Sequence, residues 1–87
     1  MNTNITFSPE GWADYLYWQT EDRKTLKRIN QLLKDIQRNG LENGIGKPEP
    51  LRYAKEWSRK IDEANRLVYA VENEQLIILS CRGHYED

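Results

Sequence analysis

Ile5 and Phe7 alternate with Thr6 and Ser8, the period-two pattern of a short strand. Ser8-Pro9-Glu10 then reads as a helix start. The serine hydroxyl can accept from the new helix backbone, proline fits the first turn, and glutamate suits the positive end of the dipole. Trp12, Tyr15 and Leu16 follow at helical spacing, and Thr20-Glu21-Asp22 repeats the start signal. Leu26, Ile29, Leu33 and Ile36 then recur along one stripe, widened by Leu32, while Lys24, Lys27, Arg28, Lys34 and Arg38 take the other face. This amphipathic pattern predicts a second helix, ended by Asn39-Gly40.

Glycines and prolines make residues 40–50 a loop. Three strands are predicted after it. Glu56 to Ile61 alternates, with Trp57, Arg59 and Ile61 on one face and Ser58, Lys60 and Asp62 on the other. Arg66 to Val71 is apolar on both faces, as a central strand is, and Gln75 to Arg82 is similar. The links Asp62-Glu63-Ala64-Asn65 and Asn73-Glu74 are short and polar, as hairpins need. The order predicts an α+β fold: one N-terminal strand, then two helices packed on one face of a small, mainly antiparallel sheet, with the other face open for a ligand.

The 87 residues suit a single domain, 1–87. Thirteen Lys and Arg against fourteen Asp and Glu exclude a basic nucleic-acid binder that works by bulk charge alone. No apolar run is long enough to span a membrane, and the first residues lack the basic-then-apolar form of a secretory signal. Cys81 is the only cysteine, so an intrachain disulfide and any multi-thiolate zinc site are excluded. A soluble, cytoplasmic protein with no membrane association is expected. So short a chain has difficulty burying enough surface; three Trp, five Tyr and one Phe supply bulk, and a partner or a second copy is expected to add stability.

His84 is the only histidine. Its place near the end fits a solvated surface residue, but it follows the last strand directly, with Arg82 before it and Tyr85 after it. Its ordinary pKa, about 6.5, lies near neutrality, so it can serve as general acid or base. In Gly46-Lys47-Pro48-Glu49-Pro50 two prolines restrict the backbone around one carboxylate. Lys47, Arg52, Lys55, Arg59, Lys60, Arg66 and Arg82 are interleaved with Tyr53, Trp57 and Tyr69, a mixture that can grip phosphates and stack bases, or simply form a solvated face. One carboxylate, one imidazole, one arginine and one tyrosine suffice to cleave RNA without a metal. A base takes the ribose 2′-proton, the 2′-oxygen attacks phosphorus, an acid protonates the departing 5′-oxygen, and a guanidinium balances the added charge. No metal-ligand cluster and no cofactor motif is apparent, so none is expected.

Trp12-Ala13-Asp14-Tyr15-Leu16-Tyr17-Trp18, Gly46 to Leu51, Trp57 to Ile61, Arg66 to Val71 and Cys81-Arg82-Gly83-His84-Tyr85 together resemble the YoeB/Txe toxins of the RelE/ParE superfamily. The resemblance runs from about Phe7 to Tyr85 in the same order. It implies a RelE-like fold and a bacterial type II toxin: a ribosome-dependent endoribonuclease (an mRNA interferase) that cuts mRNA in the A site and so inhibits translation. It implies Glu49, Arg66, His84 and Tyr85 as catalytic residues, with either Glu49 or His84 as base. Lys47, Arg52, Arg59, Lys60 and Arg82 are the expected RNA and phosphate contacts. The implied partners are a YefM/Axe-type antitoxin, the ribosome and mRNA, and a second copy of the chain; DNA is met only through the antitoxin. The sequence departs from the family pattern at Lys60, where a second arginine is usual, at Gly83, often aromatic, and in Glu86-Asp87 beyond the usual terminal tyrosine. The segment between Leu51 and Trp57 is also about two residues shorter. A non-enzymatic gyrase-binding toxin, or an inactive binding module, are the alternative readings on the same fold.

Overall fold

A computed structural model describes residues 3–51 and 55–83. In chain order the elements are β1 (Asn4–Phe7), α1 (Pro9–Glu21), α2 (Arg23–Asn39), β2 (Glu49–Pro50), β3 (Trp57–Lys60), β4 (Arg66–Glu72) and β5 (Gln75–Ser80). The five strands form one sheet in the order β1-β5-β4-β3-β2. All neighbours are antiparallel except β1 and β5, which run parallel from Asn4↔Gln75 to Phe7↔Ile78.

Both helices begin where the sequence placed them. Ser8 caps α1, its Oγ accepting from Gly11 N at 3.0 Å, and the same hydroxyl donates to Leu79 O at 3.0 Å. One side chain therefore starts the helix and ties it to β5. Gly11 is needed here because a Cβ would run into the Ile78 carbonyl. Asp22 caps α2, accepting from Lys24 N and Thr25 N. The stripe on α2 buries Ile29, Leu32, Leu33 and Ile36 against Leu67, Tyr69, Leu76 and Ile78 of the sheet, and Trp18 of α1 joins the same core. Trp18 is buried without losing its hydrogen bond, since Nε1 donates to Cys81 O at 2.9 Å.

Two features differ from the pattern read along the chain. Glu49 and Pro50, expected in a loop, form a two-residue edge strand on β3. Proline is tolerated at an edge because its missing N–H faces away from the ladder. In addition, β5 carries a bulge opposite Val68 and Tyr69: Val68 pairs with Ser80 and Tyr69 with Ile78, so Leu79 is extra.

The β4–β5 hairpin turns on Asn73 and Glu74, both at positive φ, 50° and 63°. Asparagine accepts this conformation readily, whereas glutamate is disfavoured there. Glu74→Gly is expected to raise the melting temperature by about 2–4 °C, the left-handed strain relieved outweighing the extra chain entropy of glycine by roughly 0.5 kcal/mol. An unchanged or lower melting temperature by circular dichroism would contradict this turn geometry.

Candidate active site

Strand alternation on β3 divides its side chains between two environments. Trp57 and Arg59 point to the helices, opposite Tyr69 and Leu67 of β4. Ser58 and Lys60 point to the other face, opposite Val68 and Arg66, and Glu49 lies across from Ser58 on β2. Glu49, Ser58, Lys60 and Arg66 thus share the face away from α1 and α2. Arg66 Nη2 lies 2.8 Å from Glu49 Oε1, and Arg66 Nε donates to Ser58 Oγ at 3.1 Å. The Arg66 side chain is 19% exposed and that of Glu49 59%, so the pair sits at the surface with the carboxylate outermost.

The backbone around this pair is closely held. Lys60 N donates to Gly46 O at 2.7 Å and Leu51 N to Glu56 O at 2.9 Å, so residues 46–51 are fastened to β3 on both sides of Glu49. Gly46 takes φ +82°, and a Cβ there would press on Leu32 and the Lys60 carbonyl. Arg66 is fixed from the chain's other end: its N–H donates to Gly83 O at 3.0 Å, while Gly83 N donates to Asn65 Oδ1 at 2.7 Å. Gly83 directly precedes His84 in the sequence.

Arg59 corrects an expectation. It is 0% exposed, and all five of its N–H donors are engaged inside the protein. Nε donates to Tyr69 Oη at 2.9 Å; Nη1 donates to Asp35 Oδ2 at 2.5 Å and Ile45 O at 3.1 Å; Nη2 donates to Gly40 O at 2.8 Å and Asn43 O at 2.7 Å. No donor is left for a phosphate, so Arg59 is a buried structural cation rather than an RNA contact. Two of its partners extend the network, as Tyr69 Oη donates to Leu41 O at 2.8 Å and Asp35 Oδ2 accepts from Ile45 N at 3.0 Å. Burial by itself would push the Asp35 carboxyl up, but hydrogen bonds from Arg59 and Ile45 N outweigh it and hold Asp35 below the usual carboxylate range. Removing one member of such a buried pair costs about 3–5 kcal/mol, a large share of a small domain's stability.

The other expected contacts are dispersed. Lys60 Nζ pairs with Glu63 Oε1 at 2.7 Å, beside the site, and Lys47 is exposed at φ +52° on the segment that carries Glu49. The hydrogen bond from Lys60 is the main reason that the Glu63 carboxyl is lowered, and Lys47 adds to the same field. Arg82 instead lies 3.6 Å from the centre of the Tyr17 ring on α1. Arg52, His84 and Tyr85 lie outside the described residues. Ser58 and Asn65, which support Arg66 and Gly83, are not among the expected site residues; Ser58 lies within the family-like segment Trp57 to Ile61, whereas Asn65 lies in a polar link with no signal of its own. Cys81 is no nucleophile: burial, and then the charge of Asp14, push its thiol up to about 12. Among the described residues no group of three His, Cys, Asp or Glu could hold a metal ion, and no helix is long and apolar enough to cross a membrane.

A surface Glu–Arg pair beside a serine, on the helix-free face of a five-stranded sheet, thus defines a small α+β protein with one candidate site. A family model for "YoeB-like toxin of bacterial type II toxin-antitoxin system" matches residues 7–85. Toxin YoeB of Escherichia coli K12 is 51% identical over 83 residues, covering 93% of this chain and 98% of that protein. The YoeB dimer from Staphylococcus aureus superposes with a TM-score of 0.91 at 48% identity, covering 98% of this chain and all of that one. The toxin chain of the YoeB–YefM complex from the same organism gives a TM-score of 0.88 at 47% identity, with 98% and 100% covered. The chain belongs to the YoeB-like toxins of bacterial type II toxin–antitoxin systems.

Because the Asp35 carboxyl is lowered in the folded state, its contribution is complete above the unfolded value, near 3.9, and fades as pH falls through the lower folded value. Asp35→Asn should therefore be less stable than the parent at pH 7, with the gap narrowing below about pH 4. Urea midpoints at pH 7 and pH 3 measure this; an equal gap at both would contradict the charged Asp35–Arg59 pair.

Proposed function

We propose that this toxin is a ribosome-dependent endoribonuclease that cleaves mRNA in the A site by general acid–base chemistry. The observation that carries the reading is the 2.8 Å pairing of Arg66 Nη2 with Glu49 Oε1, two residues 17 apart in sequence that meet on the helix-free face. An ion pair this exposed is worth only about 0.2–1 kcal/mol, so a phosphodiester can readily draw the guanidinium away from the carboxylate. Arginine binds phosphate oxygens through paired N–H groups, and Ser58 steadies it at Nε. The exchange does two things at once: it puts the positive charge on phosphorus oxygens, and it releases Glu49 to act as a base.

Glu49 then takes the proton from the ribose 2′-hydroxyl. The 2′-oxygen forms a bond to phosphorus as the bond to the 5′-oxygen breaks, giving a 2′,3′-cyclic phosphate. His84 donates the proton that the leaving 5′-oxygen needs, and Arg66 offsets the additional negative charge in the transition state. The backbone bonds of Gly83 to Asn65 and Arg66 support this role, since they bring the chain to Arg66 one residue before His84. Tyr85 and the exposed Lys47, with Lys60, contact the RNA around the scissile bond. Arg52 and Arg82 add basic charge toward the ribosome, and the near-zero net charge suits an enzyme whose substrate is held for it.

The partner of this toxin is a YefM-type antitoxin, and the free toxin forms dimers. The solved relatives include a YoeB dimer and a YoeB–YefM complex. Trp12 and Leu16, one turn apart on α1 and 48% and 42% exposed, supply apolar surface of the kind that such a partner covers.

Glu49→Ala and His84→Ala are each expected to slow single-turnover cleavage of ribosome-bound mRNA by about 10²–10⁴-fold, and Arg66→Ala by about 10²–10³-fold, read by primer extension in a reconstituted translation system. EDTA added after the toxin–ribosome complex has formed should leave the rate unchanged. Growth arrest by Arg66→Ala with mRNA intact would instead favour a gyrase-binding toxin.

A further inference from the structure

A buried polar cluster among the described residues lies beneath the candidate site. Arg59 occupies β3 between Ser58 and Lys60, with its side chain on the helix side of the sheet. From there its guanidinium and its two partners gather the loop that leads into Glu49. Arg59 holds the carbonyls of Gly40, Asn43 and Ile45; Tyr69 holds that of Leu41; Asp35 holds the N–H of Ile45. Five backbone groups in six consecutive residues are thus fixed to three side chains from α2, β3 and β4. The next residue, Gly46, is bonded to Lys60 N, and Glu49 follows three residues later across from Ser58.

The loop contains three glycines, Gly40, Gly44 and Gly46, at φ +87°, +123° and +82°, followed by Lys47 at φ +52°, so its backbone has little stiffness of its own. Its conformation is set from beneath by the guanidinium, whose planar fork presents donors in fixed directions. Relaxation of the loop would shift the segment 46–51 and with it the carboxylate. A displacement of about 1 Å at a reacting group lowers rate by as much as about 10²-fold.

We infer that Arg59, with Asp35, is a positioning residue for Glu49: it touches no substrate and acts on cleavage through the loop 40–46. The inference rests on the reading of Glu49 as a reacting group. It separates Arg59 from the neighbouring cations, which face the RNA and act by charge.

The test is a double-mutant cycle between Arg59→Lys and Glu49→Ala in the full-length toxin, on ribosomes programmed with mRNA. Lysine keeps the charge but cannot reach the partners of the fork. The single variant Arg59→Lys should lower the maximal single-turnover rate by about 10–100-fold while the half-saturating ribosome concentration stays within about twofold. In the Glu49→Ala background the same change should lower the residual rate by less than about twofold, because the group it positions is gone. Asp35→Asn provides the same cycle should the lysine variant fail to fold. Equal losses in both backgrounds would mean general structural damage and overturn the inference, as would a full rate or a loss confined to ribosome affinity. If Glu49→Ala alone cleaved at the parent rate, the reading of the site would fall, and the inference with it. The first group of results overturns the inference and leaves that reading intact.

Discussion

A full positive charge at zero exposure must be met by the protein from every direction, and Arg59 is so met by α2, by the loop 40–45 and by β4. A buried ion pair is poor evidence of net stability, since taking both charges out of water costs as much as their attraction returns. What it provides is definition. Five directed bonds leave the helix layer, the loop and the sheet one relative arrangement, in a chain whose loop backbone would otherwise be loose. The site on the opposite face depends on that arrangement, because Ser58 and Lys60 flank Arg59 on the same strand.

β3 is thus the hinge between stability and chemistry. One residue points down into the network, and its neighbours Ser58 and Lys60 point up, to the face of Arg66. β4 repeats the division, with Leu67 and Tyr69 below and Arg66 above. The two hairpin ends complete it. Asn65 closes the β3–β4 turn through the backbone bonds of Ile61 and Asp62 to its carbonyl, and its side chain receives Gly83, so the end of the described chain is delivered to Arg66.

Much of this was legible in the sequence where periodicity is strong and burial one-sided. α2 is the best case: its apolar stripe and its Asp22 and Gly40 ends were all read from spacing and capping chemistry. β2 was missed because an edge strand of two residues, one of them proline, carries the composition of a loop and is defined only by its partner. The error at Arg59 is more instructive. Alternation places it on the face of Trp57 and Ile61, which is the apolar face, whereas its charge taken alone suggests a surface position. Whether a cation on an apolar face is satisfied depends on Asp35 and Tyr69 and on three loop carbonyls, none of which local pattern can bring together. Ser58 and Asn65 escaped for the same reason, since their roles exist only once the strands are paired. The resemblance to known toxins named Glu49 and Arg66, but their contact is a property of the sheet register.

The central claim is that Arg66 exchanges the Glu49 carboxylate for the scissile phosphate. A structure of this toxin on a ribosome with a 2′-O-methyl mRNA in the A site tests it most directly. The account predicts the scissile phosphate within hydrogen-bond reach of the Arg66 guanidinium, about 3 Å, with Glu49 released and facing the 2′-oxygen. RNA bound along the helix layer, or an Arg66–Glu49 pair left intact with the phosphate held elsewhere, would contradict it.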